Sequence, residues 1–403
     1  MEKLRVFNPD ILELVLSKLQ TKDLLRMKCV SKSWRDLIRD RSFALRHSRL
    51  RLPPVSGFLF QKNLEWEGLG VSAVSYISAE RKEEEEEEEP PMLLSNIVDS
   101  MPADFKMVSS CNGLICCTRY SAENDTFAIR VGNPLTREWF ECDWKLCAGR
   151  AFAIGLTFNP CRDLTNNSTN FKVVLVQEAV DSIGKTCFGF YAYSSETGTW
   201  RLLDVDVTHV SGDDRFPMGD TKCVSVKGFL YWSTVSGILV FDVENELAYV
   251  ILRPIMPIVE RDQSYGASVA IMGESDGKLQ YVMVSSARLV IWALEDPQDG
   301  GKWSLAVDKF FADMQNDLVR SLCLQREERS FSMWGFPFGF KDGFMVLRVT
   351  SDTRNKGAIY LYNTRDGGFS RFADATGFST KGGGITPCDV LPYSMSLVPL
   401  NRP

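Results

Sequence analysis

The chain has 403 residues, of which 44% are apolar and 24% charged, ample for a sizeable folded core. Its charged start, Met1-Glu2-Lys3-Leu4-Arg5, has no apolar stretch behind it, and no later segment approaches the roughly 18 apolar residues of a membrane span, so neither secretion nor membrane insertion is expected. Only two histidines occur, His47 and His209, which disfavours His-rich metal sites and histidine-based catalysis.

The net charge of -6 is unevenly spread. Residues 80–89 hold eight acids and two bases, while residues 1–52 carry 13 Lys/Arg against 6 Asp/Glu. Such asymmetry suggests separate modules. The N-terminal bases fall on the polar faces of apolar helical patterns, which points to a protein partner and not to nucleic acid. Eleven cysteines, several with apolar neighbours as in Leu114-Ile115-Cys116-Cys117, read as buried structural thiols of a reducing compartment, cytoplasm or nucleus. Cys111-x4-Cys116 and Cys142-x4-Cys147 lack the His or CxxC partner that would complete a metal set, so no metal or cofactor is expected.

The first fifty residues predict three short helices. Asn8 is a good N-cap with Pro9 at the first helical position, and Ile11, Leu12, Val15, Leu16 and Leu19 recur at helical spacing. Thr21 can cap a second helix carrying Leu24, Leu25 and Met27. Ser31 can cap a third carrying Trp34, Leu37 and Ile38, with Phe43 and Leu45 following. About forty residues with this much apolar surface cannot bury it alone. Either the helices dock on their own downstream domain, or an apolar face waits for a partner.

Residues 5–47 resemble an F-box. The strongest part is Cys29-Val30-Ser31-Lys32-Ser33-Trp34-Arg35, preceded by Phe7-Asn8-Pro9-Asp10-Ile11-Leu12 where the family usually opens with Leu-Pro. The resemblance implies binding to a Skp-type adaptor, and through it to a cullin and a RING subunit of a ubiquitin ligase. The candidate adaptor-binding residues are Phe7, Pro9, Ile11, Leu12, Val15, Val30 and Trp34.

The run Glu83 to Glu89, ahead of Pro90-Pro91, is low-complexity and self-repelling, and reads as a solvated insertion or a docking tail for a basic partner. From about residue 105 the pattern becomes short period-2 strands separated by Gly, Asn, Asp and Pro turns, with no long amphipathic helix. One strand repeatedly follows a glycine: Asn112-Gly113-Leu114, Lys227-Gly228-Phe229, Asp276-Gly277-Lys278 and Asp342-Gly343-Phe344. Units close on Trp139, Trp200, Tyr249, Trp303 and Phe369, spaced by 61, 49, 54 and 66 residues. Repeats of about 50 residues with several strands each predict a kelch-like all-β propeller of about six blades. Pairing of Val55–Phe60 with Tyr393–Val398 would close the ring and remove exposed edges. The expected organisation is an all-α F-box at 1–50, a connecting segment at 51–104 with the acidic run at 80–91, and the propeller at 105–403.

Ser109-Ser110-Cys111-Asn112-Gly113-Leu114, Gly132-Asn133-Pro134-Leu135-Thr136-Arg137-Glu138, and Gly155-Leu156-Thr157-Phe158-Asn159-Pro160 resemble the F-box-associated domain of plant F-box proteins, over residues 105–375. By themselves these residues are turn and strand chemistry. Trp334-Gly335-Phe336-Pro337-Phe338-Gly339-Phe340 alternates aromatics with Gly and Pro, so its rings share one side of an extended segment, as an exposed recognition loop or a buried strand. Asn166-Asn167-Ser168 matches a glycosylation pattern but reads as a polar loop.

The leading expectation is a non-catalytic interaction protein, the substrate receptor of an SCF-type ubiquitin ligase, with Arg215, Phe216 and Trp334 as target-binding candidates on propeller loops. Further bulky or charged loop candidates are Trp144-Lys145, Asp213-Asp214 and Glu260-Arg261-Asp262. A non-degradative scaffold or transcriptional cofactor would keep the same adaptor contact. The rival class is a propeller enzyme, which needs clustered histidines, metal ligands or paired carboxylates at the central channel.

Overall fold

The computed structural model describes residues 9–50, 52–61, 74–79, 97–102, 104–121, 126–145, 152–161, 169–180, 186–208, 215–217, 222–255, 269–285, 288–298, 300–321, 334–350, 357–374 and 390–400. Phe7, the acidic run, the Asn166–Ser168 loop, Asp213-Asp214 and Glu260–Asp262 lie outside the described residues.

Four helices come first, one more than the sequence predicts: α1 (Pro9–Ser17), α2 (Thr21–Met27), α3 (Lys32–Arg39) and α4 (Arg41–Leu50). Ser31 caps α3 as its sequence suggests, its hydroxyl accepting from the Trp34 amide at 3.2 Å. Thr21 does not cap α2; it is the first helical residue, preceded by an extended Gln20. The unforeseen α4 starts after Asp40, whose carboxylate accepts from the Phe43 amide at 3.0 Å. Phe43, Ala44 and Leu45 of α4 are buried.

The rest is mostly antiparallel meander, with parallel pairings of Val207 with Ala248 and Thr208 with Tyr249, and of Glu274 with Lys341. Strands β1 (Gly57–Gln61) and β2 (Val74–Ser78) form a three-stranded sheet with the last strand, β25 (Val390–Tyr393). Then come β3 (Lys106–Cys111), β4 (Leu114–Ser121), β5 (Thr126–Asn133), β6 (Glu138–Glu141) and β7 (Trp144–Lys145) in one sheet, and β8 (Phe152–Phe158), β9 (Phe171–Val180), β10 (Thr186–Ser194) and β11 (Thr199–Leu203) in the next. A third holds β12 (Val207–Thr208), β13 (Cys223–Val226), β14 (Phe229–Ser233), β15 (Ile238–Asp242) and β16 (Leu247–Ile251). The largest, eight-stranded, combines β17 (Val269–Ser275), β18 (Lys278–Val284), β19 (Arg288–Asp296) and β20 (Lys302–Phe310) with β21 (Trp334–Lys341), β22 (Phe344–Thr350), β23 (Gly357–Asn363) and β24 (Phe369–Asp374).

The N-terminal helices are thus followed by a propeller-like β region, but the count departs from the sequence reading. Among the described residues four sheets have four or more strands, where about six blades were expected. Two four-stranded meanders merge through one parallel bridge, Glu274 to Lys341, and the sheet joining the chain ends has only three strands. That joining sheet uses Val390–Tyr393, with Phe60 opposite Val390 and Gly57 opposite Tyr393; residues 394–398 continue beyond it as an irregular strap. Helix α5 (Phe311–Ser321), also unforeseen, buries Phe311, Met314 and Leu318 at i, i+3 and i+7 beside β20 and β24.

The recurrent glycine turns have one physical cause. Asn112, Lys227, Asp276 and Asp342 have φ of 47°, 47°, 55° and 51°, each followed by a glycine that is also left-handed. Two successive positive φ values define the turn that best matches strand twist in a two-residue hairpin. These turns gather at one end of the β region: Asn112 Nδ2 donates to Phe158 O at 2.7 Å, Arg365 pairs with Asp276 at 2.9 Å, and a β-carbon added to Gly277 would meet the Lys227 side chain. The closing aromatics Trp139, Trp200, Tyr249, Trp303 and Phe369 all sit on the last long strand of their meander, on β6, β11, β16, β20 and β24.

Candidate functional site

The four helices enclose a small core of Leu16, Leu24, Ile38, Phe43 and Ala44, with Leu12, Leu19, Trp34 and Leu37 packed half-buried around it. His47 of α4 ties the module together. Its Nε2 lies 2.8 Å from Leu19 O, and its ring stacks on Phe43 at 6.1 Å. Arg46 pairs with Glu13 across the module, and Arg35 Nε donates to Lys28 O at 3.3 Å.

With the core filled, a set of apolar side chains is left outside. Ile11 is 54% exposed, Leu14 59%, Val15 52% and Val30 59%. On α1, Ile11, Leu14 and Val15 stand about 120° around the helix from Leu12 and Leu16, as the 100° step per residue dictates. One side of the helix builds the core and the other faces water. On and just after α3, Lys32, Arg35 and Arg39 are exposed together with Asp36 and Asp40. Burial, and then the nearby Arg39 charge, hold the Lys28 ammonium below its ordinary value.

Of the residues picked from sequence, Ile11, Val15 and Val30 are exposed apolar side chains of this module. Leu12 and Trp34 instead support the internal core, so their first duty is structural. Pro9 begins α1. Leu14 was missed, although its place three residues after Ile11 was the signal that could have found it.

The target-binding candidates fare unevenly. Phe216 is only 5% exposed and packs on Phe188 at 5.3 Å within a large core cluster, so its ring is corrected from partner contact to core. Arg215 is exposed, and its carbonyl accepts from the Val235 amide of the β14–β15 turn at 2.8 Å. In a meander that turn lies at the end opposite the Lys227-Gly228 turn. Trp334 starts β21 at the same far end. Phe338 and Phe340 are buried while Phe336 is 37% exposed, because the β21–β22 register slips between Pro337 and Gly339 and breaks the alternation. Trp144 is half-buried on Tyr191 and Trp200, with ring centroids 4.6 and 5.0 Å away.

No group of three or more His, Cys, Asp or Glu side chains able to hold a metal is found among the described residues, and no described helix is long and apolar enough to cross a membrane. Cys111, Cys116, Cys117, Cys142 and Cys223 are buried free thiols. Burial pushes all of them upward, Cys142 to about 12, which removes the thiolate that nucleophilic or metal chemistry requires.

The chain thus joins a helical module with exposed apolar side chains to a propeller-like β region. The F-box family model matches residues 7–46, and a second, described as "F-box protein At3g26010-like, beta-propeller", matches residues 74–320. The second spans well over half of the chain, and the chain belongs to this family of F-box proteins with a β-propeller. Similar Arabidopsis thaliana proteins include F-box protein At3g22700, 28% identical over 59% of this chain and 62% of that one, and F-box protein At5g49610, 25% identical over 73% and 77%. F-box protein At5g07610 is 26% identical over 76% of this chain and 70% of its own. The chain therefore spans just under two thirds of the length of the first of these. Among solved structures, a post-proline cleaving enzyme from Rickettsia typhi aligns with 94% of this chain and 58% of its own at 8% identity and a TM-score of 0.35. The β-propeller domain of the trilobed protease from Pyrococcus furiosus aligns with 67% and 84% at 13% identity and a TM-score of 0.28.

Proposed function

We propose that the protein is the target-recognition subunit of a Skp–cullin–F-box ubiquitin ligase, without bond chemistry of its own. Residues 1–50 form the adaptor-binding module and residues 105–403 the target-binding one, while 51–104 connects them and contributes β1 and β2 to the sheet that joins the chain ends. The observation that carries this reading is the outward set Ile11, Leu14, Val15 and Val30 on a module whose core is already complete. Burying such side chains under a Skp-type adaptor is the interaction the patch is shaped to make, and cullin and RING subunits follow through the adaptor. The protein's contribution is effective concentration: a bound target is held beside the ubiquitin-charged enzyme. The end of the β region that carries Arg215 and the start of β21 is the target side, because the helices occupy the other end. Cytoplasm or nucleus, where free thiols stay reduced, is the working compartment.

The test is affinity purification of the full chain and of a version lacking residues 1–50, read by mass spectrometry. Adaptor and cullin peptides should accompany the full chain and vanish from the truncated one, while target peptides persist in both. An adaptor that follows the truncated chain refutes the assignment.

A further inference from the structure

The seven residues after β25 lack regular secondary structure, yet six of them are buried hydrophobic or hydroxyl residues of the interior: Ser394, Met395, Ser396, Leu397, Val398 and Leu400. An irregular segment survives burial only if its backbone groups find partners. Ser56 Oγ accepts from the Met395 amide at 2.8 Å, Ser396 Oγ from the Val398 amide at 3.2 Å, and the β5–β6 turn supplies further partners. Asn133, itself fully buried, splits its Nδ2 hydrogens between Ser396 O and Val398 O, both at 2.9 Å. The Glu138 carboxylate accepts from the Leu400 amide at 2.8 Å. Between the two carbonyls gripped by Asn133 stands Leu397.

Leu397 does not pack within the β region's own sheets. It joins the helical core with Leu16, Leu24, Ile38, Phe43 and Ala44. Leu135, from the same β5–β6 turn, packs half-buried against that cluster as well. Its amide donates to Asn133 Oδ1 at 3.0 Å, so the turn that grips the strap also aims this second side chain. Arg41 at the start of α4 completes the contact, donating to Leu400 O at 3.2 Å across a sequence separation of 359. Two turns along α4, Cys161 Sγ lies 3.6 Å from Ser48 O. Sequence patterning shows Gly132-Asn133-Pro134-Leu135-Thr136-Arg137-Glu138 only as a turn. In the fold it is a bracket.

We propose that the F-box of this chain is a composite module: the Asn133–Glu138 turn and the 394–400 strap supply its floor, and so fix α1, with its adaptor-facing residues, at one orientation to the β region. Leu16 of α1 shares its core with Leu397, while Ile11, Leu14 and Val15 ride on the other side of the same helix. Leu397, Leu135 and Asn133 are therefore positioning residues, touching no adaptor themselves. A rigid receptor holds the target and the ligase at a set separation, which a flexibly tethered F-box would not do. The adaptor consequence rests on the function proposed above; the bracket itself does not.

The experiment compares the full-length wild type with Leu397→Ala, Asn133→Ala and the conservative Leu397→Met, by hydrogen exchange and by titration with a purified Skp-type adaptor. A leucine truncation in a filled core costs enough to raise local opening roughly tenfold or more. Exchange in α1, α2 and α4 should rise by about that factor in both alanine variants, with β14–β15 and β18–β19 protection unchanged. Adaptor affinity should fall in step, about tenfold, and Leu397→Met should restore both to near wild type. Unchanged helix exchange and unchanged adaptor binding in both alanine variants overturn the bracket. So does a uniform loss of protection through every sheet, which would make the strap a support of the whole fold. If exchange behaves as expected but the wild type binds no adaptor, the bracket stands and the proposed function fails.

Discussion

Lys341→Met probes the single point where the two halves of the eight-stranded sheet meet. The Lys341 ammonium lies 3.1 Å from Glu274 Oε2, with the side chains only 15% and 17% exposed, at the one parallel bridge between β21 and β17. Glu274 is used twice more: its Oε1 accepts from the Gly277 amide at 2.9 Å, and its backbone carbonyl from the Asp342 amide at 2.8 Å. Burial alone would lower the Lys341 pKa, but the Glu274 and Asp342 carboxylates outweigh it and the ammonium is held above its ordinary value. Removing the lysine strands a buried carboxylate, which costs about 3–5 kcal/mol for a fully buried pair. The residual exposure places this pair near the lower end, about 3 kcal/mol. Glu274→Leu should cost a similar amount plus about 1 kcal/mol for the lost turn bond. The double variant leaves no orphan charge and should be more stable than the sum of the two losses implies, by about 2 kcal/mol or more. Urea unfolding followed by tryptophan fluorescence measures all four proteins. Strict additivity would refute the argument. The pH dependence has a definite sign: a raised lysine stabilises fully below its unfolded value of about 10.4, and that contribution is lost as pH rises through the folded value. The alkaline limb of the wild type should therefore flatten in Lys341→Met.

Asp342 should show linkage of the same sign at the acid end of the curve, because burial raises its carboxyl even though Lys341 and the Val55 amide favour the anion. The folded state holds that proton more tightly, so stability falls as pH rises from the unfolded value of about 3.9 through the folded one; Asp342→Asn should remove this fall in acid unfolding curves. Lys227 pays for a left-handed backbone at φ 47° on an exposed turn, and Lys227→Asn should stabilise by about 0.5–1 kcal/mol in the same urea assay. Maleimide labelling of the native protein should modify the exposed Cys29 and Cys187 within minutes and spare Cys116, Cys117, Cys142 and Cys223 until urea is added; native labelling of the latter, read by peptide mass spectrometry, would show that the interior opens freely.

Local rules were the readable part of this fold. The Ser31 cap, the apolar spacing of α1 and the four X-Gly hairpins are decided within a few residues, and each was visible in the chain. So was the closing aromatic of every meander, since a bulky ring on each last strand is a repeat that needs no knowledge of its neighbours. What stayed hidden depended on distant partners. Helix α4 buries Phe43, Ala44 and Leu45 only because the other helices and the strap lie against it, and α5 was masked by the expectation of uninterrupted strands. The merging of two meanders hangs on one pair, Glu274 and Lys341, 67 residues apart by number. Phe216 sits two residues after a charged pair and looked exposed, but Phe188 from another strand covers it. The strap carried a misleading signal: Tyr393-Ser394-Met395-Ser396-Leu397 alternates like a strand, but the ladder ends at Tyr393 and the Asn133 side chain holds the Ser396 and Val398 carbonyls instead. On α1 the pattern showed a broad apolar face but not how it divides: Leu12 packs half-buried on the helical core, as Trp34 of α3 does, while Ile11 and Val15 stay exposed, because helical spacing alone does not say which half of such a face is used internally.

The account's central claim is that the exposed side of α1 receives a Skp-type adaptor. Each of Ile11, Leu14 and Val15 has about half its surface left to bury, worth about 1 kcal/mol apiece at the usual area coefficient, and charges there must also be desolvated. Calorimetric titration of the adaptor into full-length protein should show one-to-one binding for the wild type. The triple variant Ile11→Asp, Leu14→Asp, Val15→Asp should lose at least about a hundredfold in affinity, with the urea midpoint of its β region unchanged. A wild type that gives no heat and no complex, or a triple variant that binds as tightly as wild type, would contradict it.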